Sequence, residues 1–277
     1  MSERGRLLVC ATPIGNLNDV SDRLREVLGS VDIVFAEDTR RTAKLLQHIG
    51  ASPRVRSLFV GNEHARTQEV LAALEGGETV ALVSDAGMPT VSDPGAGVVR
   101  AASSAGHHVS VIPGPSAVTS AVAVTGFGAD RFSFEGFLPR KGKQRSRRLD
   151  SIAGEDRPVV LFASPHRLAR DLADLAAVVS ADRELAVIRE LTKLHEEIWV
   201  GQISEAVEVW SDREVRGEIT VVLAPGVVED ISPEAAIQEA RSLVAGGSSA
   251  SEAARRVASA TGVPRRVVYQ ALIKDQA

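Results

Sequence analysis

The sequence predicts an α/β fold: two α/β domains in succession, followed by a small helical unit. Three observations carry this. Short runs of Val, Ile, Leu and Ala alternate with amphipathic segments five times between Leu7 and Ile112, the rhythm of a parallel sheet with crossover helices. After a small apolar helix and a strongly basic stretch, the alternation resumes between Val159 and Ala224. Beyond Pro233 only helix signals remain. Domains are therefore expected over 1–121 and 122–226, a linker over 227–233, and a helical extension over 232–277.

Leu7 to Ala11 reads as the first strand, ending at Thr12-Pro-Ile-Gly-Asn16; Asp19, Ser21 or Asp22 caps the helix that buries Leu24, Val27 and Leu28. Val31 to Ala36 is the second strand, ending in Glu37-Asp-Thr-Arg-Arg41, and the helix Thr42 to Ile49 closes at Gly50. The third strand, Val55 to Val60, delivers Gly61-Asn-Glu-His64 to a helix from Gln68 to Leu74. Val80 to Val83 then opens the loop Ser84 to Gly95, rich in Gly, Pro and Asp. Asp93-Pro94 has the signature of an N-cap with proline in the first helical position, so a helix is expected to start there. The strand Val109 to Ile112 leads through Pro113-Gly-Pro-Ser116 to a helix ended by Gly126.

In the second half, strands are expected at Phe132–Leu138, Val159–Ala163, Glu184–Arg189 and Glu218–Ala224, with helices at Arg167–Val178 and near Ile203–Trp210. Three tail helices, at Pro233–Val244, Ser251–Ala260 and from Pro264, carry Arg255, Arg256, Arg265 and Arg266 and suggest a helix-turn-helix unit.

The single cysteine, Cys10, excludes an internal disulfide framework and points to a reducing cytoplasm. No apolar run has the length of a membrane span, and no signal-peptide core is expected at the N-terminus. The six histidines lack metal-ligand spacing, so no metal is expected. No G-x-G-x-x-G follows the first strand, and P-loop and G-x-S-x-G motifs are absent, which argues against dinucleotide binding, nucleotide hydrolysis and serine hydrolase chemistry. A ligand would instead be held by main-chain groups and small side chains at the carboxyl ends of several strands. Net charge is −4, yet Arg140, Lys141, Lys143, Arg145, Arg147 and Arg148 form a dense basic run, better suited to RNA phosphates than to a merely solvated face.

The motifs Thr12-Pro-Ile-Gly-Asn-Leu17, Ala36-Glu-Asp-Thr-Arg40, Asn62-Glu-His64, Ser84-Asp-Ala-Gly87 with Ser92-Asp-Pro-Gly95, Pro113-Gly-Pro-Ser116, Phe134-Glu-Gly-Phe-Leu-Pro139, Ser164-Pro-His-Arg167 and Arg189-Glu-Leu-Thr-Lys193 occur in this order. Together they resemble the ribosomal RNA small subunit methyltransferase I family, a branch of the tetrapyrrole-methylase superfamily, along essentially the whole chain. The resemblance implies two α/β domains of tetrapyrrole-methylase type with a cofactor cleft between them. It also implies S-adenosylmethionine as methyl donor and the ribose 2'-hydroxyl of a decoding-centre cytidine in 16S rRNA, within the 30S subunit, as acceptor. A homodimer without membrane association is expected.

The resemblance places the cofactor against Pro13, Asp85, Ala86, Gly87, Ser116 and Ala117, with Leu191 and Ala224 from the C-terminal domain. Methyl transfer to a hydroxyl is helped by a positioned base or by a cation that stabilises the alkoxide. Candidates at strand ends are Glu37, Asp38, Glu63, His64, His166, Glu190 and Lys193, from which His64, Glu63 and Lys193 are assigned to catalysis. Arg40 and Arg41 suit either a phosphate clamp or an ion pair with the neighbouring acids; RNA contacts are expected from Arg40, the basic run, Arg265 and Arg266. The sequence departs from the family at Phe162-Ala163, where the family carries an aromatic residue followed by glutamate, so the base is sought elsewhere. A tetrapyrrole C-methyltransferase and a non-catalytic ribosome-assembly factor are the alternative readings.

Overall fold

The computed structural model describes residues 5–128, 130–226, 232–261 and 263–274, so most of the expected linker and residue 262 of the expected tail turn lie outside them. By contact density the chain divides into two units. The first comprises Met1–Val124, Ile188–Ile198 and Gly217–Thr220, and the second Thr125–Val187, Trp199–Arg216 and Val221–Ala277.

The first unit holds β1 (Arg6–Cys10), α1 (Asp22–Ser30), β2 (Ile33–Ala36), α2 (Thr39–Ile49), β3 (Arg54–Ser57), α3 (Glu63–Glu75), β4 (Thr79–Val83), α4 (Ala96–Ser104), β5 (His108–Ile112) and α5 (Ala117–Thr125). Its parallel sheet has the order β3-β2-β4-β1-β5. Successive side chains of a strand point to opposite faces, so a doubly covered sheet needs continuous apolar runs. Leu8, Cys10, Val34, Ala36, Ala81 and Val83 pack with Leu24, Leu28, Leu45 and Leu46. Leu7, Ile33, Phe35, Val80 and Leu82 pack instead with Val70, Leu74, Val98 and Ala102. Burial drives the Cys10 thiol pKa up to about 12, leaving it an inert core side chain.

Helix starts follow their caps. Ser21 Oγ accepts the Leu24 N–H at 3.1 Å, and Asp38 Oδ1 accepts the Arg40 N–H at 2.8 Å, so α2 begins three residues earlier than expected. Asp93-Pro94 does not start α4: Gly95, at φ +117°, stands at its N-cap. The capping acceptor comes from another loop, since Glu63 Oε1 accepts the N–H groups of Gly95 (3.2 Å) and Gly97 (3.0 Å). β3 ends at Ser57 rather than at Val60: the Leu58 N–H makes a last bond to β2 at Ala36 O (2.7 Å), and the Phe59 N–H then turns to Asn62 Oδ1 at 2.8 Å. α3 therefore begins at Glu63, which puts Glu63 and His64 on a helix and not in a loop.

A second sheet has the order β6-β7-β10-β8-β9. Its strands are β6 (Ser133–Phe137), β7 (Val159–Ala163), β8 (Glu184–Arg189), β9 (Glu197–Gln202) and β10 (Ile219–Leu223), with α6 (Lys143–Ala153), α7 (Leu168–Ala176) and α8 (Ile203–Ser211) between them. The sequence reading misses β9, an edge strand whose burial alternates residue by residue. α9 (Pro233–Ala245), α10 (Ala250–Thr261) and α11 (Arg265–Lys274) bury Ala236, Ala240, Ala253, Ala254, Val257, Val268 and Leu272 in a core of their own.

The basic run is corrected by α6. Residues 143 onward are helical, and Arg145, Leu149 and Ile152 form its buried stripe. The Arg145 guanidinium donates to Asp171 Oδ1 at 2.8 Å, Asp174 Oδ2 at 2.7 Å and Pro139 O at 2.9 Å. Arg148 pairs with Glu135. Arg145 is thus a structural cation, unavailable to RNA, and Arg148 is already neutralised. Removing Arg145 strands a buried carboxylate, so Arg145→Ala should cost about 3–5 kcal/mol in urea denaturation, whereas exposed Lys143→Ala leaves stability within about 0.5 kcal/mol.

Candidate active site

The carboxyl ends of β1 and β4 are tied to each other before any ligand is considered. Thr12 and Gly87 exchange both backbone hydrogen bonds, at 2.9 and 3.0 Å, and Thr12 Oγ1 donates to Ser84 O at 3.3 Å. The loop beyond bends through left-handed conformations at Gly87, Thr90, Ser92 and Gly95. Two of these, Thr90 and Ser92, are not glycine and carry backbone strain just ahead of Asp93, as is found where side chains must be aimed. Over this base lies an open cleft of about 240 Å³, lined by Thr12, Pro13, Ile14, Leu17, Arg41, Leu45, Ser84, Asp85, Ala86, Lys193 and Glu218 among others. All its lining belongs to the first unit, Lys193 and Glu218 through its two later segments.

Lys193 is built in from three directions. Its stem crosses Gly15, where an added Cβ would lie 2.3 Å from Lys193 Cγ and 2.7 Å from Cε. Its ammonium donates to Glu190 Oε1 at 2.7 Å and Glu218 Oε2 at 3.0 Å. Glu190, itself left-handed at φ +53°, also accepts the Glu218 N–H at 2.8 Å, and its side chain occupies the space a Cβ on Gly217 would need. Burial works to lower the Lys193 pKa, but the bonds and charges of Glu190 and Glu218 outweigh it and hold the pKa above the ordinary lysine value. Burial likewise opposes ionisation of Glu190, and the Lys193 bond and the Glu218 N–H overcome it, leaving that carboxyl below its usual range. An ammonium has three donors. Two are engaged by these carboxylates, and the third remains for a ligand in the cleft.

Carboxylates dominate the rest. Asp85 Oδ1 accepts the Asp38 N–H at 2.9 Å, and its other oxygen lies 3.5 Å from Arg41 Nε. Burial, then the charges of Asp93 and Asp85, raise the pKa of Glu37. Burial also raises Asp93, against a hydrogen bond with Ser84 and with the charges of Asp85 and Glu218. Glu37, Asp85, Asp93, Glu190 and Glu218 thus outnumber the cations around them, Arg41, Lys44 and Lys193 at the cleft and Arg189 beside Glu190, an environment that favours a cationic ligand.

The expected site residues fall into distinct places. Pro13, Asp85, Ala86 and Lys193 line the cleft together. Gly87 supports it through the Thr12 bridge, while Ser116, Ala117 and Leu191 are half-buried outside its lining. Ala224 lies in the second unit, its N–H donating to Glu184 O. Glu63 is spent on the α4 N-terminus, and His64 is exposed on the first turn of α3; neither lines the cleft. Arg40 is committed to Asp38, whose carboxyl it holds at about 2, chiefly through their side-chain hydrogen bond. Glu218 and the positioning role of Glu190 were missed. Only the Gly217-Glu218 pair ahead of the last strand hinted at the first, and nothing local connects residues 190 and 218. Among the described residues no group of His, Cys, Asp or Glu is arranged to hold a metal, and no helix is long and apolar enough to cross a membrane.

A family model described as Tetrapyrrole (Corrin/Porphyrin) Methylases matches residues 6–207, and one described as RsmI C-terminal HTH domain matches residues 231–276. The chain is similar to "Ribosomal RNA small subunit methyltransferase I" of a Synechocystis species, 44% identical over 99% of both chains. The protein of the same name from Thermotoga maritima is 47% identical, over 79% of this chain and 98% of its own. A solved structure of a cobalamin biosynthetic enzyme, cobalt precorrin-4 methyltransferase, shares the fold with a TM-score of 0.61 at 16% identity, covering 80% of this chain and 95% of that one.

The clasp around Lys193 makes a measurable claim. Gly15→Ala should cost about 1–3 kcal/mol by expelling the lysine stem, on top of the strain of an L side chain at φ +151°. In a double-mutant cycle read by thermal denaturation, Lys193→Ala should recover the steric part of that loss and leave the backbone part, whereas fully additive effects would mean the two residues do not share this space.

Proposed function

Because this chain belongs to the ribosomal RNA small subunit methyltransferase I family, we propose that it uses S-adenosylmethionine to methylate the ribose 2'-hydroxyl of a cytidine in the decoding centre of 16S rRNA. The observation that carries this is the cleft itself: main-chain-rich loops from two strand ends, set among carboxylates that their few cations do not balance. The residues fit the donor. Asp85 in the lining, with Asp93 and Glu37 adding their charge behind it, complements a sulfonium and an ammonium, Leu17, Leu45 and Ile14 offer apolar surface to a heterocycle, and Pro13 and Ala86 bring the backbone close. When bound, the donor supplies a methyl group on a sulfonium and departs as a neutral thioether.

The chain's own residues supply alignment and proton handling. Lys193 stays charged, which rules it out as a base and leaves its third N–H to steady the developing alkoxide. His64 lies outside the cleft lining and so serves the acceptor's side: exposed at the strand-end edge of the first sheet, its imidazole takes the 2'-hydroxyl proton of an RNA laid over that edge. Glu63 acts through position: by capping α4 it fixes the loop that carries Asp93. In the second unit, Arg140, Lys141, Lys143 and Arg147 are exposed around the N-terminus of α6. Cations there oppose the helix dipole, an arrangement that nearby phosphates would relieve. Assembled 30S subunits as substrate, a homodimer and a cytoplasmic setting complete the reading.

Incubation with labelled S-adenosylmethionine and undermethylated 30S subunits should place label on a ribose of 16S rRNA, and His64→Ala should lower kcat about 100-fold or more. Label in a tetrapyrrole precursor alone would sink the proposal. The raised carboxyls predict a pH dependence with a fixed sign. Above their raised pKa values Glu37 and Asp93 are ionised and attract the cationic donor. As pH falls through those values into the ordinary carboxylate range, binding must expel protons. Calorimetry should therefore show proton release on binding and an affinity that weakens with acidification, steps that Glu37→Gln and Asp93→Asn reduce.

A further inference from the structure

Phe59 and Val60 form an exposed apolar pair in the first unit. They are 47% and 81% exposed beside the fully buried Leu58, on the turn that joins β3 to α3. The turn is rigid. Asn62 Oδ1 accepts the Phe59 N–H at 2.8 Å, Phe59 O accepts the Asn62 N–H at 2.9 Å, and Asn62 Nδ2 donates to Ser57 O at 3.2 Å. The Phe59 ring lies against Gly61, where an added Cβ would stand 2.8 Å from Cε2. The ring is held in water by a hydrogen-bonded turn, and loops on a scaffold are where binding residues concentrate. The turn leaves the carboxyl end of β3, beside β2 and its Glu37, and passes directly into His64.

We propose that Phe59 is the stacking platform for a nucleobase of the RNA acceptor, held splayed from its neighbours beside the first turn of α3. This rests on the rRNA reading above. Sequence-specific RNA recognition favours unstacked bases laid on aromatic faces, and a base attached to the ribose offered to His64 has this ring as the nearest aromatic in sequence. Two exposed side chains fall well short of the roughly 800 Å² per partner of a stable protein interface, which argues against a docked protein.

The test measures the Kd for undermethylated 30S subunits by filter binding without cofactor, alongside KM and kcat for methyl transfer, in wild type, Phe59→Ala, Phe59→Leu and Phe59→Trp. Losing a stacked base should raise Kd and KM about tenfold in Phe59→Ala and Phe59→Leu. Phe59→Trp should stay within about twofold of wild type, and the affinity for S-adenosylmethionine should not move in any variant. An unchanged Kd in Phe59→Ala overturns the proposal, as does recovery by Phe59→Leu, which would mean apolar contact without stacking. A changed sedimentation coefficient in Phe59→Ala would assign the ring to self-association instead. A wild type that binds subunits but transfers no methyl would defeat the methyltransferase reading while the binding constants still decide the role of Phe59.

Discussion

The pairing of Thr12 with Gly87 is the constraint on which the site depends. A parallel sheet leaves its strand ends as loops whose backbone groups need partners, and water alone would leave those loops mobile. Here the loops after β1 and β4 satisfy each other as a short antiparallel bridge. The β4 loop is then held by Asp85, which takes the Asp38 N–H, and by Glu63, which takes those of Gly95 and Gly97. Side chains that a catalytic inventory would claim are used first as hydrogen-bond acceptors for neighbouring loops. That use is what allows a polar loop with four left-handed residues to stand open without collapsing.

Charge follows from the same economy of partners. Carboxylates suit the capping of exposed N–H groups, so a cleft lined by strand-end loops accumulates them. Arg41, Lys44 and Lys193 do not restore neutrality, and the pKa values of Glu37 and Asp93, raised first by burial and then by neighbouring carboxylates, show that imbalance. A bound cation would discharge it. Lys193 is the exception that needs construction: a buried ammonium is costly unless paired. It therefore brings Glu190 and Glu218 with it, and two glycines, Gly15 and Gly217, clear its path.

What the sequence reveals divides along the range of the interactions. Strands of the first sheet are legible because both faces are covered and their apolar runs are unbroken. Ser21 is legible as a cap because it acts on its own helix. Asp93-Pro94 misleads for the converse reason: the acceptor that starts α4 sits some thirty residues upstream, at Glu63. Leu58-Phe59-Val60 reads as the end of a strand, since nothing in three apolar residues announces that Asn62 will fold the chain back. Lys193 and Asp85 are found through their motifs, whereas Glu218 is not, its role being set by a loop twenty-five residues away.

The basic run shows how far local spacing can correct such a reading. Six cations in nine residues look equivalent as composition, yet Arg145, Leu149 and Ile152 recur at helical spacing on one stripe. A guanidinium on that stripe must be buried, and a buried guanidinium must find carboxylates, here Asp171 and Asp174 of α7. The cations off the stripe, Arg140, Lys141, Lys143 and Arg147, are left at the surface around the start of α6. One residue of the run thus fastens the helix so that its neighbours can be presented. The presentation of the run then depends on the one cation buried beneath it.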